Sequence, residues 1–259
     1  MMLTVNHSAW DFKDVKPEVA VLPLACFEPH SNYFPVGSDQ IIMSAIGEAV
    51  AQKLEETTFL LPVWPFGTSG HHAGQPGTVH LRYETLWHVV RDVAFSLHER
   101  GIHKIVVLNN HGSAMATTTK PIGNFVVKTA VRQLNYENPG IRTIWVQPFA
   151  AGRDKLSELV ASAKEEIHVG AVELSLLMHL LPENEWEGPQ DHIPDVDPTY
   201  LEFGPFRKYS PNGVWGNPSD ASRAKGADVM KIVVDETVRY IQETFDHLKE
   251  IKEDRGGEY

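Results

Sequence analysis

Leu22-Pro23-Leu24-Ala25-Cys26-Phe27-Glu28-Pro29-His30-Ser31-Asn32-Tyr33-Phe34-Pro35-Val36-Gly37-Ser38-Asp39 is the stretch on which the reading of the fold turns. It grows out of an unbroken apolar run, Val19 to Leu24, which is how a strand buried on both faces is written. After Asp39 the period changes. Ile41, Ile42, Ala45, Ile46, Val50 and Leu54 recur at helical spacing, and Ser38 stands where an N-cap belongs. Between strand and helix lies a polar loop. Pro29 disfavours the α conformation for Glu28 and pushes it towards extended backbone. In extended chain, residues two apart project to the same side, so Glu28 and His30 present a carboxylate and an imidazole to one target. Asp39, beside the helix N-terminus, stays ionised. This spacing is that of a metal site.

The same strand–loop–helix unit recurs along the chain. Phe59 to Trp64 reads as a second buried strand, followed by a loop from Phe66 to Thr78 rich in glycine and histidine. Tyr83 to Arg100 has the apolar spacing of an amphipathic helix (Leu86, Val89, Val90, Val93, Leu97), stopped by Gly101. Lys104 to Leu108 is the clearest strand and runs directly into Asn109-Asn110-His111-Gly112-Ser113. A helix over roughly Ala114 to Asn135 follows, with Pro121 and Gly123 marking a kink or false start, then a strand from Ile141 to Val146. His168-Val169-Gly170-Ala171-Val172-Glu173 opens a helix running to Leu181. Pro182 to Pro218 has no clean period and reads as a long irregular segment, of the kind usually functional or interfacial. Ser219 to Glu250 is the closing helix. With no repeat and no linker, residues 1–259 read as a single domain. Such alternation predicts an α/β fold with a mostly parallel sheet covered by helices on both faces. Ligands in such folds sit at the carboxyl ends of the strands, where the loops after Leu24 and Leu108 both lie.

Composition narrows the partners. The net charge of −11, without a Lys/Arg cluster, argues against nucleic acid or an anionic membrane surface. No apolar run approaches the ~20 residues of a membrane span. The N-terminus lacks the basic start and apolar block of a signal peptide, so a cytoplasmic protein is expected. One cysteine, Cys26, leaves no internal disulfide and suits a reducing compartment. It reads as a small buried apolar side chain rather than a nucleophile. Thirteen histidines favour a metal or acid–base site.

Glu28, His30, Asp39 and His111 supply two carboxylates and two imidazoles, and Glu173 adds a third carboxylate. Nitrogen and oxygen donors of this kind suit Zn²⁺, Mn²⁺ or Fe²⁺ better than Mg²⁺ or Ca²⁺, and leave no thiolate site. Five ligands exceed what one open catalytic ion needs, and a bridging Asp39 between two ions accounts for the surplus. A two-metal centre makes bound water hydroxide-like near neutral pH and polarises a carbonyl oxygen, so hydrolysis at an amide-like or carbonyl carbon is the expected class. His168, off this cluster but near Glu173 in sequence, is the candidate for proton transfer to the leaving group. His71 and His72 are candidates for lining a substrate pocket.

These blocks resemble the creatininase (creatinine amidohydrolase) family. Leu22 to His30 with Gly37-Ser38-Asp39 looks like its Glu-x-His … Asp signature, and Gln75-Pro76-Gly77-Thr78 its Pro-Gly-Thr loop. Asn110-His111-Gly112 is similar to its Asn-Gly-His-Gly block, and His168-Val169-Gly170 … Glu173-Leu174-Ser175 to its His-Ala-Gly … Glu-Thr-Ser block. Gly213-Val214-Trp215-Gly216-Asn217-Pro218 looks like its late Gly-Val-x-Gly-x-Pro. The resemblance implies a three-layer α/β/α fold, a pair of divalent ions (Zn²⁺ or Mn²⁺, Fe²⁺ in some relatives) and a homo-oligomer, often a hexamer. By position Glu28 and His111 would hold one ion, His30 the other, with Asp39 between them. Substrate contacts would come from His72, Gly77, Thr78 and Ser113. Ser113 stands where creatininase has a metal-binding glutamate, which makes Glu173 the replacement candidate, and Ala171 stands where a glutamate is common. The family opens or cleaves C–N bonds in creatinine, a formamidopyrimidine and a precursor peptide. Similar proteins hydrolyse a ring C–C bond in a keto-inositol. The expected activity is therefore C–N hydrolysis of a small cyclic amide or formamide-like compound. Keto-inositol ring opening and a non-catalytic metal-binding relative are the alternatives.

Overall fold

A computed structural model describes residues 1–111, 124–184, 186 and 188–254. Among them, five strands form one sheet: β1 (Met2–Leu3), β2 (Val19–Leu24), β3 (Thr58–Leu60), β4 (Lys104–Asn109) and β5 (Arg142–Val146). Their order is β1-β3-β2-β4-β5 and every pairing is parallel. β2 and β4 run side by side through the middle, Val19 opposite Lys104 and Leu24 opposite Asn109. All six residues of β2 are buried, as a strand covered on both faces requires.

Alternate residues of these strands enter two separate cores. On one face Val19, Val21, Val106, Leu108, Ile144 and Val146 pack under α2 (Ser38–Lys53), α5 (Pro148–Ala151), α6 (Arg153–Leu159), α7 (Ala171–Leu180) and α8 (Arg223–Asp254). On the other, Ala20, Leu22, Leu24, Ile105 and Val107 pack under α3 (Tyr83–Glu99) and α4 (Asn124–Glu137). The result is the expected three-layer α/β/α architecture. α8 contributes Val229, Val233, Val234, Val238, Ile241 and Phe245 to the first core, each such side chain stabilising by roughly 1.5–3 kcal/mol when fully buried. Its first turn lies so close to α7 that a Cβ on Gly226 would fall 2.0 Å from the Ser175 carbonyl oxygen. α7, which carries Glu173, is therefore fixed against the longest helix.

Several boundaries differ from the sequence reading. β1 and the short helix α1 (Ala9–Asp14) give no periodic signal because each is too short for one. β3 ends before Trp64 because Pro62 and Pro65 have no N–H to donate; beyond Leu60, Leu61 still donates to the Val21 carbonyl at 3.0 Å and Trp64 bridges to Leu24. The N-cap of α2 is Gly37, not Ser38, whose hydroxyl donates to the Pro35 carbonyl at 2.7 Å. α8 starts at Arg223 rather than Ser219, after a 3₁₀ turn over Pro218–Asp220. The expected helix start at Ala114, with Pro121 and Gly123, lies outside the described residues. The segment 182–218 is irregular as expected, with 3₁₀ turns at Pro198–Glu202 and Phe206–Lys208. No helix among the described residues is long and apolar enough to cross a membrane.

Candidate metal centre

The carboxyl ends of β2 and β4 adjoin, and the loops that leave them carry Glu28, His30 and His111 to one place. Asp39 reaches it from the first turn of α2, and Glu173 from the first turn of α7. His30 Nε2 lies 3.2 Å from Glu173 Oε1 and 3.7 Å from Asp39 Oδ1. His111 Nδ1 lies 3.3 Å from Glu28 Oε2 and 3.6 Å from Asp39 Oδ2. Asp39 thus faces both imidazoles. Glu28, His30, Asp39 and His111 are buried and Glu173 nearly so.

The backbone aims these groups. His30 Nδ1 sits 3.1 Å from the Glu28 carbonyl oxygen, which can only accept, so Nδ1 carries the proton and Nε2 turns to Glu173 and Asp39. Glu173 accepts the Val169 N–H on Oε2 at 2.8 Å, which leaves Oε1 for His30. Ser31 and Val169, each next to a site histidine, hold φ of 59° and 55°. Left-handed backbone is uncommon outside glycine and unfavourable for β-branched valine.

His168 is where the sequence reading needs correcting. It does not stand off the cluster: its Nδ1 is 3.8 Å from Glu28 Oε1 and its ring centroid 4.5 Å from that of His30. Nε2 donates to the Pro29 carbonyl at 2.8 Å, so in the neutral ring Nδ1 is the free acceptor. His72 is also drawn in, its Nε2 being 3.7 Å from Glu28 Oε1, while its Nδ1 faces the Gln75 side-chain amide at 3.2 Å. His71 stacks on His111 with ring centroids 5.5 Å apart. Thr78 gives its hydroxyl to the His72 carbonyl at 3.1 Å, and Gly77, at φ 82°, is pressed against Val36. Both shape the loop that delivers His72. Ser113 lies outside the described residues.

Burial works against charge here, and neighbours decide the outcome. It pushes Glu28 and Asp39 up, but His111 and His72 hold Glu28 well below its ordinary value, and His111 and His30 hold Asp39 at about 2. Burial pushes His30 and His111 down, yet Glu173 and Asp39 raise His30 well above its ordinary value, and Cys26, Glu28 and Asp39 raise His111. At three further histidines burial outweighs the pull of Glu28: His72 falls to about 2 and His71 to about 4, and His168 is lowered by burial with help from His30.

A divalent cation fits this arrangement on a test independent of any relative. Glu28 Oε2, Asp39 Oδ2, His72 Nε2 and His111 Nε2 are buried without a hydrogen-bond partner. Atoms of that kind are rare unless a ligand satisfies them. Donor atoms of Glu28, Asp39 and His111 lie within 4.8 Å of one another, as do those of His30, Asp39 and Glu173, and of Glu28, His30 and His168.

Two supporting groups, Glu166 and Phe206, escape the sequence reading. Glu166 is a buried carboxylate that accepts the Ala171 and Val172 N–H groups at 2.9 and 3.3 Å, capping α7. Its signal was an acid five residues ahead of a helix start. Phe206, from the irregular segment, packs its ring 4.8 Å from His72 and 5.1 Å from His168. The Val214-Trp215-Gly216 stretch pairs backbone to backbone with His168 and His192.

The creatinine amidohydrolase family model (Creatininase) matches residues 7–241. A mycofactocin precursor peptide peptidase of Mycobacterium ulcerans is 27% identical, over 85% of this chain and 83% of its own. A 3-dehydro-scyllo-inosose hydrolase of Thermotoga maritima is 26% identical, over 88% and 79%. Among solved structures, "Creatininase Mn" superimposes with a TM-score of 0.73 at 20% identity, covering 95% of this chain and 99% of that one. A mutant creatininase described as Zn-Zn type gives 0.73 at 20%, covering 93% and 98%. At such identity the structures speak for the fold.

Proposed function

The chain belongs to the creatininase family of hydrolases, and from that premise we propose that it is a divalent-metal-dependent hydrolase cleaving a C–N bond of a small cyclic amide or formamide-like substrate. The observation that carries the reading is the convergence of Glu28, His30, Asp39, His111 and Glu173 around buried polar atoms that no hydrogen bond satisfies. Glu28 and His111 would hold one ion and His30 and Glu173 the other, with Asp39 shared. Zn²⁺ or Mn²⁺ suits the donors, with Fe²⁺ a further candidate. When bound, the ions would supply a water acidified to near neutral pH and a Lewis acid for the substrate carbonyl.

The chain's own groups do the rest. Neutral His168, its Nε2 proton fixed on Pro29, holds Nδ1 free to take a proton and pass it to the leaving nitrogen. Neutral His72 offers an N–H towards the same space, and Phe206 closes its far wall and excludes water. Gly77 and Thr78 set the loop that places His72. Ser113 is a further proposed substrate contact. We take residues 1–259 as one domain acting in the cytoplasm as a homo-oligomer, with a hexamer the expected size; light scattering on purified protein decides that.

The experiment has two parts. Metal analysis should find tightly bound transition metal at about one ion or more per chain. Less than one, with none recovered on reconstitution, overturns the reading. A panel of lactams, formamides, short peptides and cyclic polyol ketones then identifies the bond. The similarity to a 3-dehydro-scyllo-inosose hydrolase supports the second reading, C–C ring opening of a keto-inositol. Turnover of ketones without amides would select it. A folded Glu28→Gln variant that loses the turnover excludes a non-catalytic relative.

A further inference from the structure

The sulfur of Cys26 does not sit in apolar company. It is buried at 1% exposure two residues before Glu28, and one donor atom from each of Cys26, Glu28, Asp39 and His111 lies within 4.8 Å of the others. Two members of that group, through Glu28 Oε2 and Asp39 Oδ2, keep a buried polar atom without a hydrogen-bond partner, and His111 Nδ1 faces both at 3.3 and 3.6 Å. The thiol is seated firmly: it rests against Gly67, where an added Cβ would fall 2.0 Å from Sγ. A cysteine serving as filler is surrounded by carbon. This one has two carboxylates and an imidazole within 4.8 Å of its sulfur.

We infer that Cys26 is a fourth protein donor to one ion of the centre, so that Cys26, Glu28, Asp39 and His111 form a closed, sulfur-containing position and His30, Asp39 and Glu173 an open one. The inference rests on the metal-dependent reading above and deepens it. Four protein ligands are the mark of an ion that holds structure, while three leave a position for water or substrate. The two groups of donors meet at Asp39 but differ in this count, which assigns water activation to the side of His30 and Glu173. A thiolate also changes which ion is held. Sulfur favours Zn²⁺ and other softer ions, whereas carboxylate and water suit Mn²⁺. As the ion binds, the S–H proton leaves to solvent and the sulfur lone pair forms the new bond, with no change of oxidation state.

Co²⁺ is the probe, added to the chelator-stripped full chain. A thiolate ligand gives a near-ultraviolet sulfur-to-Co²⁺ charge-transfer band on top of the visible d–d bands. The expected result is both bands in the parent chain. In Cys26→Ser the d–d bands should remain and the charge-transfer band vanish. Competition between Zn²⁺ and Mn²⁺ should then shift towards Mn²⁺ by roughly tenfold or more, the order of change seen when support of a metal site is removed. Cys26→Ala should lose the same band, so one variant that fails to fold does not block the test. Parent protein with d–d bands and no charge-transfer band overturns the inference while leaving the metal centre standing. No Co²⁺ binding at all overturns both.

Discussion

The flank of α8 and the rim of the sheet both gather carboxylates, and they neutralise them differently. On the flank, Asp235 pairs with Lys53 and with Lys231 at 2.6 Å, and Glu236 with Lys155 at 2.5 Å and Arg239 at 2.7 Å. At the rim, the ion pairs of Glu28, Asp39 and Glu173 among the described residues are all with histidine, at 3.2–3.8 Å. The flank cations are long side chains with exposed ends, and water does much of the screening. The rim groups are buried, and taking charge out of water is expensive unless an equal charge stands close. Imidazoles at such distances answer that need poorly, and their unpartnered atoms show it. A divalent ion would answer it well.

The sharpest break of this comparison is Asp39→Asn. It removes the carboxylate facing both His30 and His111, so metal content should fall by at least one ion per chain. Several kcal/mol of transition-state stabilisation go with it, about three orders of magnitude in kcat/KM. A loaded, active Asp39→Asn protein would mean that the rim is no metal centre. Chelation is the next largest effect. An ion present at a thousandfold over its Kd stabilises by about 4 kcal/mol, which is a fall of roughly 10 °C in Tm when it is stripped. Unchanged melting after complete removal would show that the rim carboxylates are content with their histidines.

How much of this was legible in the chain depends on how far each interaction reaches. β2, β4, α3 and the polar loops at the strand ends were readable because buried strands and amphipathic helices write their period locally. Glu28, His30 and Asp39 were readable for the same reason, one short loop carrying all three. The sequence marks His168 as a candidate but not its place in the cluster, because its contact with Pro29 joins residues 139 apart and leaves no trace in spacing. Phe206 is not readable at all: it sits in a segment without period, which long-range contacts such as the Trp215–His168 pairing bring over the site. Cys26 is buried as a lone cysteine after a strand is expected to be, but its nearness to Glu28, Asp39 and His111 is a tertiary fact that spacing does not carry.

Glu166 supplies a third case, a buried carboxylate that needs no cation. Its oxygens accept the Ala171, Val172 and Asn217 N–H groups and the Ser162 hydroxyl. Glu166→Ala should strand those donors and cost about 1–3 kcal/mol. The loss should be equal with and without metal, since α7 is uncapped in either state, and Glu166→Gln should recover part of it. A penalty that disappears on chelation would place Glu166 among the metal-dependent groups instead.

The smallest effect belongs to the flank itself. Lys155 and Arg239 hold the Glu236 carboxyl below its ordinary value. A carboxyl lowered on folding adds stability above its unfolded value, about 4.3 for glutamate, and that contribution is lost as pH falls through the lower, folded value. Glu236→Gln should therefore weaken the protein slightly at pH 7, by about 1 kcal/mol or less as for other exposed pairs. The difference should close as the medium is made acidic enough to protonate the parent carboxylate. Urea titrations at neutral and acid pH measure it, and added salt should shrink the neutral-pH difference because Lys155 and Arg239 are exposed. A gap that persists unchanged in acid and in salt would mean that Glu236 acts through packing under α8, and that the flank resembles the rim more than its lysines and arginines suggest.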